Sequence, residues 1–360
     1  MNNLSNSRLF KKGSVLMAVK LMASALALVF HYLLAKQLTV EQFGLFSLAM
    51  TFLLFSSAFA KQGLEQASIR FIAKSSAAVG ARWYFLIVTY AFISACIIAV
   101  LIALFAESLA MLVLSQEKLI LLLPLVALLT IFQTCSAINT SALKATQFTT
   151  YALFVSGFVT FIVACLLLIN FPVVSAYQAL LYFTYSALIS LVVSFVMLVS
   201  VFKRQQVKVV MPVEIKEDFF ELIHVSKHIF VISLMALATG QLSIVILASY
   251  VSLGELGTYS IAVKLSLLIS YPLIIINALT APQYAKLHQE KRLKAFKLLA
   301  FNSTKILGVL GSLAVLILFF SVDFILAYFG KDYVDAAVIV KILLVGQWFN
   351  LVTGSVVSML

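Results

Sequence analysis

The chain has 360 residues, of which 63% are hydrophobic and 11% charged, with a mean hydropathy of +1.13. A soluble domain carries about a quarter charged residues, so this composition excludes a soluble globular protein and points to one embedded in lipid. The net charge of +12 would suggest a nucleic-acid partner in a soluble protein, but here it must first be sorted by side of the membrane.

A membrane span needs ~20 apolar residues to cross ~30 Å of hydrocarbon. Ten stretches qualify, at roughly 14–35, 43–60, 83–106, 119–140, 151–170, 176–202, 229–250, 257–279, 299–320 and 337–358. The sequence therefore predicts an all-α polytopic membrane protein with ten transmembrane helices. The first stretch follows Arg8, Lys11 and Lys12 as a signal peptide would, but its apolar run is too long for one. Cys96, Cys135 and Cys165 lie inside apolar runs, and an odd count in lipid argues against a disulfide framework or a zinc site.

Charges in the connecting segments alternate. With the N-terminus in the cytoplasm, the inner segments hold 18 Lys or Arg and the outer segments three, Lys36, Lys118 and Lys331. Lys20, Lys264, Lys305 and Lys341 fall within spans. The asymmetry follows the positive-inside rule and gives a multi-pass protein of the plasma membrane with its N-terminus inside. The basic run Lys286 to Lys297 then reads as an anchor beside anionic lipid, and nucleic acid is not expected as a partner.

The longest inner segment divides the chain into an N-terminal six-helix lobe (1–202), a cytoplasmic linker (203–228) and a C-terminal lobe of four spans (229–360). In the linker Ile215, Phe219, Leu222 and Ile223 recur at helical spacing, with Lys216, Glu217, Asp218 and Glu221 on the other face. That pattern fits a helix lying on the membrane surface, or a solvated loop.

One stretch is written twice. Leu34 to Ala49, LAKQLTVEQFGLFSLA, recurs as Leu247 to Ala262, LASYVSLGELGTYSIA, at an offset of 213 residues. Thr39 falls on Ser252, Gly44 on Gly257 and Ser47 on Ser260. Thr39 with Gln42, and Ser252 with Glu255, are spaced as capping boxes at a helix start. Gly44 and Gly257 lie about one turn further on, where a missing side chain admits another helix backbone. Six spans separate the copies, so both enter the membrane in the same direction, as parallel repeats about an axis along the membrane normal do. Two six-helix lobes of this size need about 426 residues, so the second lobe reads as truncated, the chain being C-terminally incomplete or a shortened variant.

No catalytic constellation, metal spacing, Gly-rich phosphate loop or Walker motif appears, so neither an enzyme nor a cofactor is expected. The informative residues are cations at membrane depth, where a charge normally faces a cavity or a partner. Lys20 shares a helical face with Ser24, Ala27 and His31; Lys264 with Ser260, Leu267 and Tyr271; Lys305 with Asn302 and Ser312. Snorkelling to the interface is the competing reading for Lys20, and the preferred one for Lys305 and Lys341. Glu41, Glu107, Glu117, Glu255, Asp323, Asp332 and Asp335 all read as lying in outer segments or at span ends. Cations without buried carboxylates favour an anionic substrate over a cationic drug.

LAKQLTVEQFGLFSLA, followed by Gly63-Leu64, Ala67, Arg70, Ile72 and Ala73, resembles the first two spans of bacterial lipid-linked oligosaccharide flippases. These belong to the multidrug/oligosaccharidyl-lipid/polysaccharide exporter (MOP) superfamily. Gly257 to Ser260, Ala262, Lys264-Leu265, Pro282 and Ala285 resemble the eighth span, and FGKDYVDAAVIVKIL at 329–343 the turn before the tenth. The resemblance implies two lobes around a central cavity, and alternating access for a polyprenyl-pyrophosphate-linked oligosaccharide of an O-antigen or capsule pathway. Membrane lipids and other polysaccharide-assembly proteins are the further partners it implies. Lys20, Lys264, Arg70 and Lys305 are then the candidate substrate-binding cations. Many members carry an acidic residue where this chain has Ser243, which leaves ion coupling through such a group in doubt. The competing functions are a cation-coupled multidrug exporter of the same superfamily and an integral membrane enzyme of polysaccharide assembly.

Overall fold

The computed structural model describes residues 2–113, 116–205, 215–270, 273, 276–277, 280, 283–284 and 287–353. All regular structure among them is helical. Eight helices there are long and apolar enough to cross a membrane, and a shorter apolar helix covers Ala336–Val352. Together they correspond to nine of the ten predicted spans. Much of the remaining one, 257–279, lies outside the described residues beyond Ser270. The chain is a multi-pass membrane protein.

Contacts group residues 14–256 into one unit and 257–360, with 1–13, into another. In the first, α1 (Asn2–Gln37) is followed by α2 (Val40–Lys61), α3 (Leu64–Lys74), α4 (Ala77–Leu104), α5 (Leu123–Ala145), α6 (Thr149–Asn170), α7 (Ala176–Arg204) and α8 (Ile215–Ala248). Aromatic packing binds four of them near Phe30, whose ring lies 6.1 Å from Phe46, 5.7 Å from Phe161 and 5.7 Å from Phe183. His31 packs on the same cluster, 5.3 Å from the Phe30 ring. Buried polar side chains add cross-links: Tyr84 donates to Asn139 Oδ1 at 2.8 Å, Asn139 Nδ2 to Ser194 Oγ at 2.9 Å, and Ser56 and Thr130 share a bond of 2.7 Å. Satisfied in this way, hydroxyls and amides can sit among apolar helices without the cost of an unpaired buried polar group.

The repeated motif starts a helix in both places, by different means. Ser252 makes the reciprocal box: Glu255 N donates to Ser252 Oγ at 3.2 Å, and Ser252 N donates to Glu255 Oε2 at 2.8 Å. Ser252 Oγ also donates to Glu255 Oε2 at 2.8 Å, and the two bonds that the carboxyl accepts, first from the Ser252 backbone and then from its hydroxyl, hold it below its usual range. At the first copy Thr39 Oγ1 accepts from Gln42 N at 3.3 Å, but the Gln42 side chain turns away and accepts from Ala176 N at 2.8 Å, in the first turn of α7. Only half of the predicted box forms, and its second half caps a different helix. Gly44 and Gly257 are both buried, as are Ser47 and Ser260 one turn on, whose hydroxyls have no partner among the described residues.

The predicted amphipathic surface helix is instead the start of α8, which runs unbroken from Ile215 to Ala248. No Gly or Pro interrupts 215–239, so nothing separates the linker segment from the span. Its apolar face meets protein. Leu222 is fully buried in a cluster with Leu64, Phe71, Ile72, Trp83, Tyr84 and Ile87, and Phe219 packs 5.4 Å from the Tyr90 ring. The described part of the linker from Ile215 on therefore belongs to a helix that packs on α2, α3 and α4. Residues 206–214 lie outside the described residues.

α8 comes closest at the turn joining α2 to α3. Gln62 and Gly63 adopt φ of 46° and 78°, two successive left-handed residues that reverse the chain. The Gln62 side chain is held by Tyr90 Oη at 2.8 Å and donates to Ser94 Oγ at 3.2 Å. A Cβ on Gly63 would lie 2.5 Å from Ser226 O and 2.8 Å from Phe230 N, both on the α8 backbone. Close helix approach through a missing side chain is thus found at Gly63, and again at Gly157, where a Cβ would meet Ala23 Cβ of α1 at 2.9 Å.

In the second unit, α9 (Leu253–Ser266), α10 (Leu293–Phe329) and α11 (Ala336–Val352) are described. α10 extends further than the predicted span 299–320, so Asp323 lies inside the helix and not at its outer end. It pairs with Lys341 of α11 at 2.9 Å, so Lys341 is half of an interhelical ion pair rather than a snorkelling cation. Trp348 Nε1 donates to Ser312 Oγ at 2.8 Å, and Leu351 covers Gly311.

Candidate functional site

Four polar residues of α5 share one stripe. Gln133, Ser136, Ala137, Thr140 and Lys144 follow one another at helical spacings and line a common cavity. Three other walls complete it. Lys61 ends α2 and Glu65 opens α3, across the left-handed turn; α6 supplies Ser156 and Thr160; α7 supplies Ala187 and Ser190. The cavity encloses about 190 Å³ within the first unit, enough for several waters.

Local backbone geometry shapes one wall. Phe154–Val159 in α6 is a π-helical turn, a departure from regular α-helix that recurs at functional sites. Ser190 Oγ of α7 donates to Val155 O in that turn at 3.1 Å. Thr140 Oγ1 donates to Ala137 O at 2.9 Å. Hydroxyls engaged in this way keep their acceptor lone pairs, while lysines and the Gln133 amide supply donors. The cavity therefore suits a ligand rich in both donors and acceptors, as a sugar is.

The charged groups are unequal. Lys61 Nζ lies 3.3 Å from Glu65 Oε2, with side chains 24% and 39% exposed. Lys144 is half-buried and has no ion-pair or hydrogen-bond partner among the described residues. The three together carry one net positive charge, within a unit of apolar helices.

None of the four cations singled out in the sequence lines this cavity. Lys20, Arg70 and Lys305 are exposed on α1, α3 and α10. Lys264 is half-buried on α9, one turn from buried Ser260; its predicted neighbour Tyr271 lies outside the described residues. Lys144 falls in an inner segment by the charge pattern and is not among the cations at membrane depth. The signal was present in the sequence as the stripe of polar residues 133, 136, 140 and 144. Among the described residues no group of three or more His, Cys, Asp or Glu side chains converges to hold a metal.

Residues 9–288 match the polysaccharide biosynthesis protein family. No curated protein matches the chain. Solved structures with a similar fold include a multidrug resistance MATE family transporter of the MOP superfamily in its inward-facing conformation. That alignment has a TM-score of 0.62 and 12% identity over 96% of this chain and 86% of the other. A structure titled as the outward-facing conformation of such a transporter aligns with a TM-score of 0.56 and 14% identity, over 96% and 82%. The Vibrio cholerae MATE transporter VcmN aligns with a TM-score of 0.60 and 13% identity, over 98% and 85%. The chain belongs to the polysaccharide biosynthesis protein family and has the fold of the MATE transporters of the MOP superfamily.

Proposed function

We propose that this protein carries a lipid-linked oligosaccharide, of the polyprenyl-pyrophosphate type, across the bacterial inner membrane by alternating access, with its N-terminus in the cytoplasm. The observation that carries this reading is the cavity of Lys61, Lys144 and six hydroxyl or amide side chains within a bundle of apolar helices. Unaided passage of sugars and phosphates through hydrocarbon is prohibitive because their charges and hydroxyls lose every hydrogen-bond partner. Hydroxyls along the helices, with lysines at their cytoplasmic ends, offset that loss, and membership of a polysaccharide biosynthesis family supports a saccharide substrate.

A multidrug exporter is the second reading, favoured by the solved structures of the same fold. A cationic drug needs a carboxylate free to receive it. In this cavity Glu65 is paired with Lys61, and the net charge is positive. The test is expression in two strains, one lacking its own polysaccharide flippase and one lacking its drug exporters. Restored surface polysaccharide with unchanged tolerance of cationic dyes is expected. Raised dye tolerance without polysaccharide would reverse the assignment.

A further inference from the structure

We infer that Glu65 is an internal stand-in for a substrate phosphate: it occupies Lys61 while the cavity is empty and yields it when a pyrophosphate group enters against Lys144. This rests on the transport reading and assigns the anionic part of the substrate to this cavity. Lys144 is the standing cation, half-buried, on the cavity wall and without a partner among the described residues. Lys61 is the reserve cation, 3.3 Å from Glu65. Both belong to one cavity with Gln133 and Ser136, so an anion lodged there faces two ammonium groups, an amide and a hydroxyl donor.

The exchange is favoured by the unequal strength of the two pairings. A partly exposed pair four residues apart gains little from its Coulomb attraction, because water screens it and two side chains must be held in register. A pyrophosphate carries more charge than a carboxylate and offers more acceptor oxygens, so it competes well for an ammonium point charge. The geometry of the turn helps. Gln62 and Gly63, the two left-handed residues between Lys61 and the start of α3, fix the backbone, so Lys61 changes partner by side-chain rotation alone. Removing Glu65 should therefore tighten anion binding, the reverse of what loss of a supporting salt bridge would do.

Protein purified into phosphatidylcholine nanodiscs is titrated with geranyl pyrophosphate by isothermal calorimetry. Lys144→Ala is expected to weaken binding about tenfold. Glu65→Gln, nearly the same shape, is expected to tighten it about threefold, and adding Lys61→Ala to Glu65→Gln to abolish that gain. Size-exclusion behaviour checks folding, with Lys144→Gln as the alternative if the alanine variant aggregates. Unchanged or weaker binding in Glu65→Gln, or unchanged binding in Lys144→Ala, would overturn the inference. A parallel titration of phosphatidylglycerol content separates the two sources of phosphate. Variant effects on phosphatidylglycerol binding with none on the prenyl pyrophosphate would assign the cavity to bilayer lipid and overturn it as well. Charge-dependent probe binding in a protein that restores no polysaccharide would remove the transport reading and leave the site. Restored polysaccharide with charge-blind binding would do the opposite.

Discussion

Replacing Lys264 with Glu is expected to abolish surface polysaccharide in a flippase-deleted strain, while Lys264→Arg retains most of it and Lys264→Ala falls between. Lys264 lies seven residues, ~10 Å at helical rise, past Gly257 on α9, deeper than a short lysine stem comfortably spans. It is half-buried and no described residue pairs with it. An ammonium about 8 Å from a phosphate contributes about 2 kcal/mol at an effective dielectric near 20. Reversing its charge turns that attraction into repulsion, a change of about 4 kcal/mol or about a thousandfold in occupancy. Immunoblots of the membrane fraction control for protein level. Normal polysaccharide from Lys264→Glu at wild-type protein level would show that this side chain lies away from the substrate.

The spans were legible because lipid demands long apolar helices, and both caps were legible because Ser and Thr with Glu or Gln three residues on are a local pattern. What escaped were relations across helices. Gln42 looks like the partner of Thr39 but reaches Ala176, because an unpaired backbone donor at the start of α7 lies within reach and only the fold brings it there. Asp323 reads as a span-end charge and Lys341 as a snorkelling cation, yet they form one pair between α10 and α11. The apolar face at the start of α8 is local sequence, but the residues that cover it, Leu64, Phe71 and Trp83, are brought there only by the fold. Lys144 ends a polar stripe that the sequence does show, but only the fold sets that stripe against Lys61 and Glu65.

Gly63→Ala is expected to cost the protein about 2–5 kcal/mol of stability, seen as a lower melting temperature in detergent and reduced membrane level. Two effects combine. Any L side chain at φ of 78° carries about 1–2 kcal/mol of left-handed strain. The added Cβ also overlaps backbone atoms of α8 at 2.5 and 2.8 Å, which cannot rotate aside as a side-chain tip would. α8 must then shift, loosening Leu222 and Phe230 from the core beneath them. Gly240→Ala is the internal control: it lies on the same helix with nothing within 4 Å of its added Cβ. There the higher helix propensity of Ala should leave stability unchanged or raise it by about 0.5–1 kcal/mol. Equal behaviour of the two variants would mean that α8 does not rest on the α2–α3 turn.

Transport itself is tested most directly with purified protein in liposomes carrying a fluorescent polyprenyl-pyrophosphate oligosaccharide in both leaflets. A glycosidase added outside reports how much of the sugar becomes reachable. Wild-type protein is expected to expose the inner-leaflet pool within minutes, with Lys144→Glu at the rate of empty liposomes and cationic dyes not carried. Movement of dye without movement of the oligosaccharide would contradict the flippase assignment.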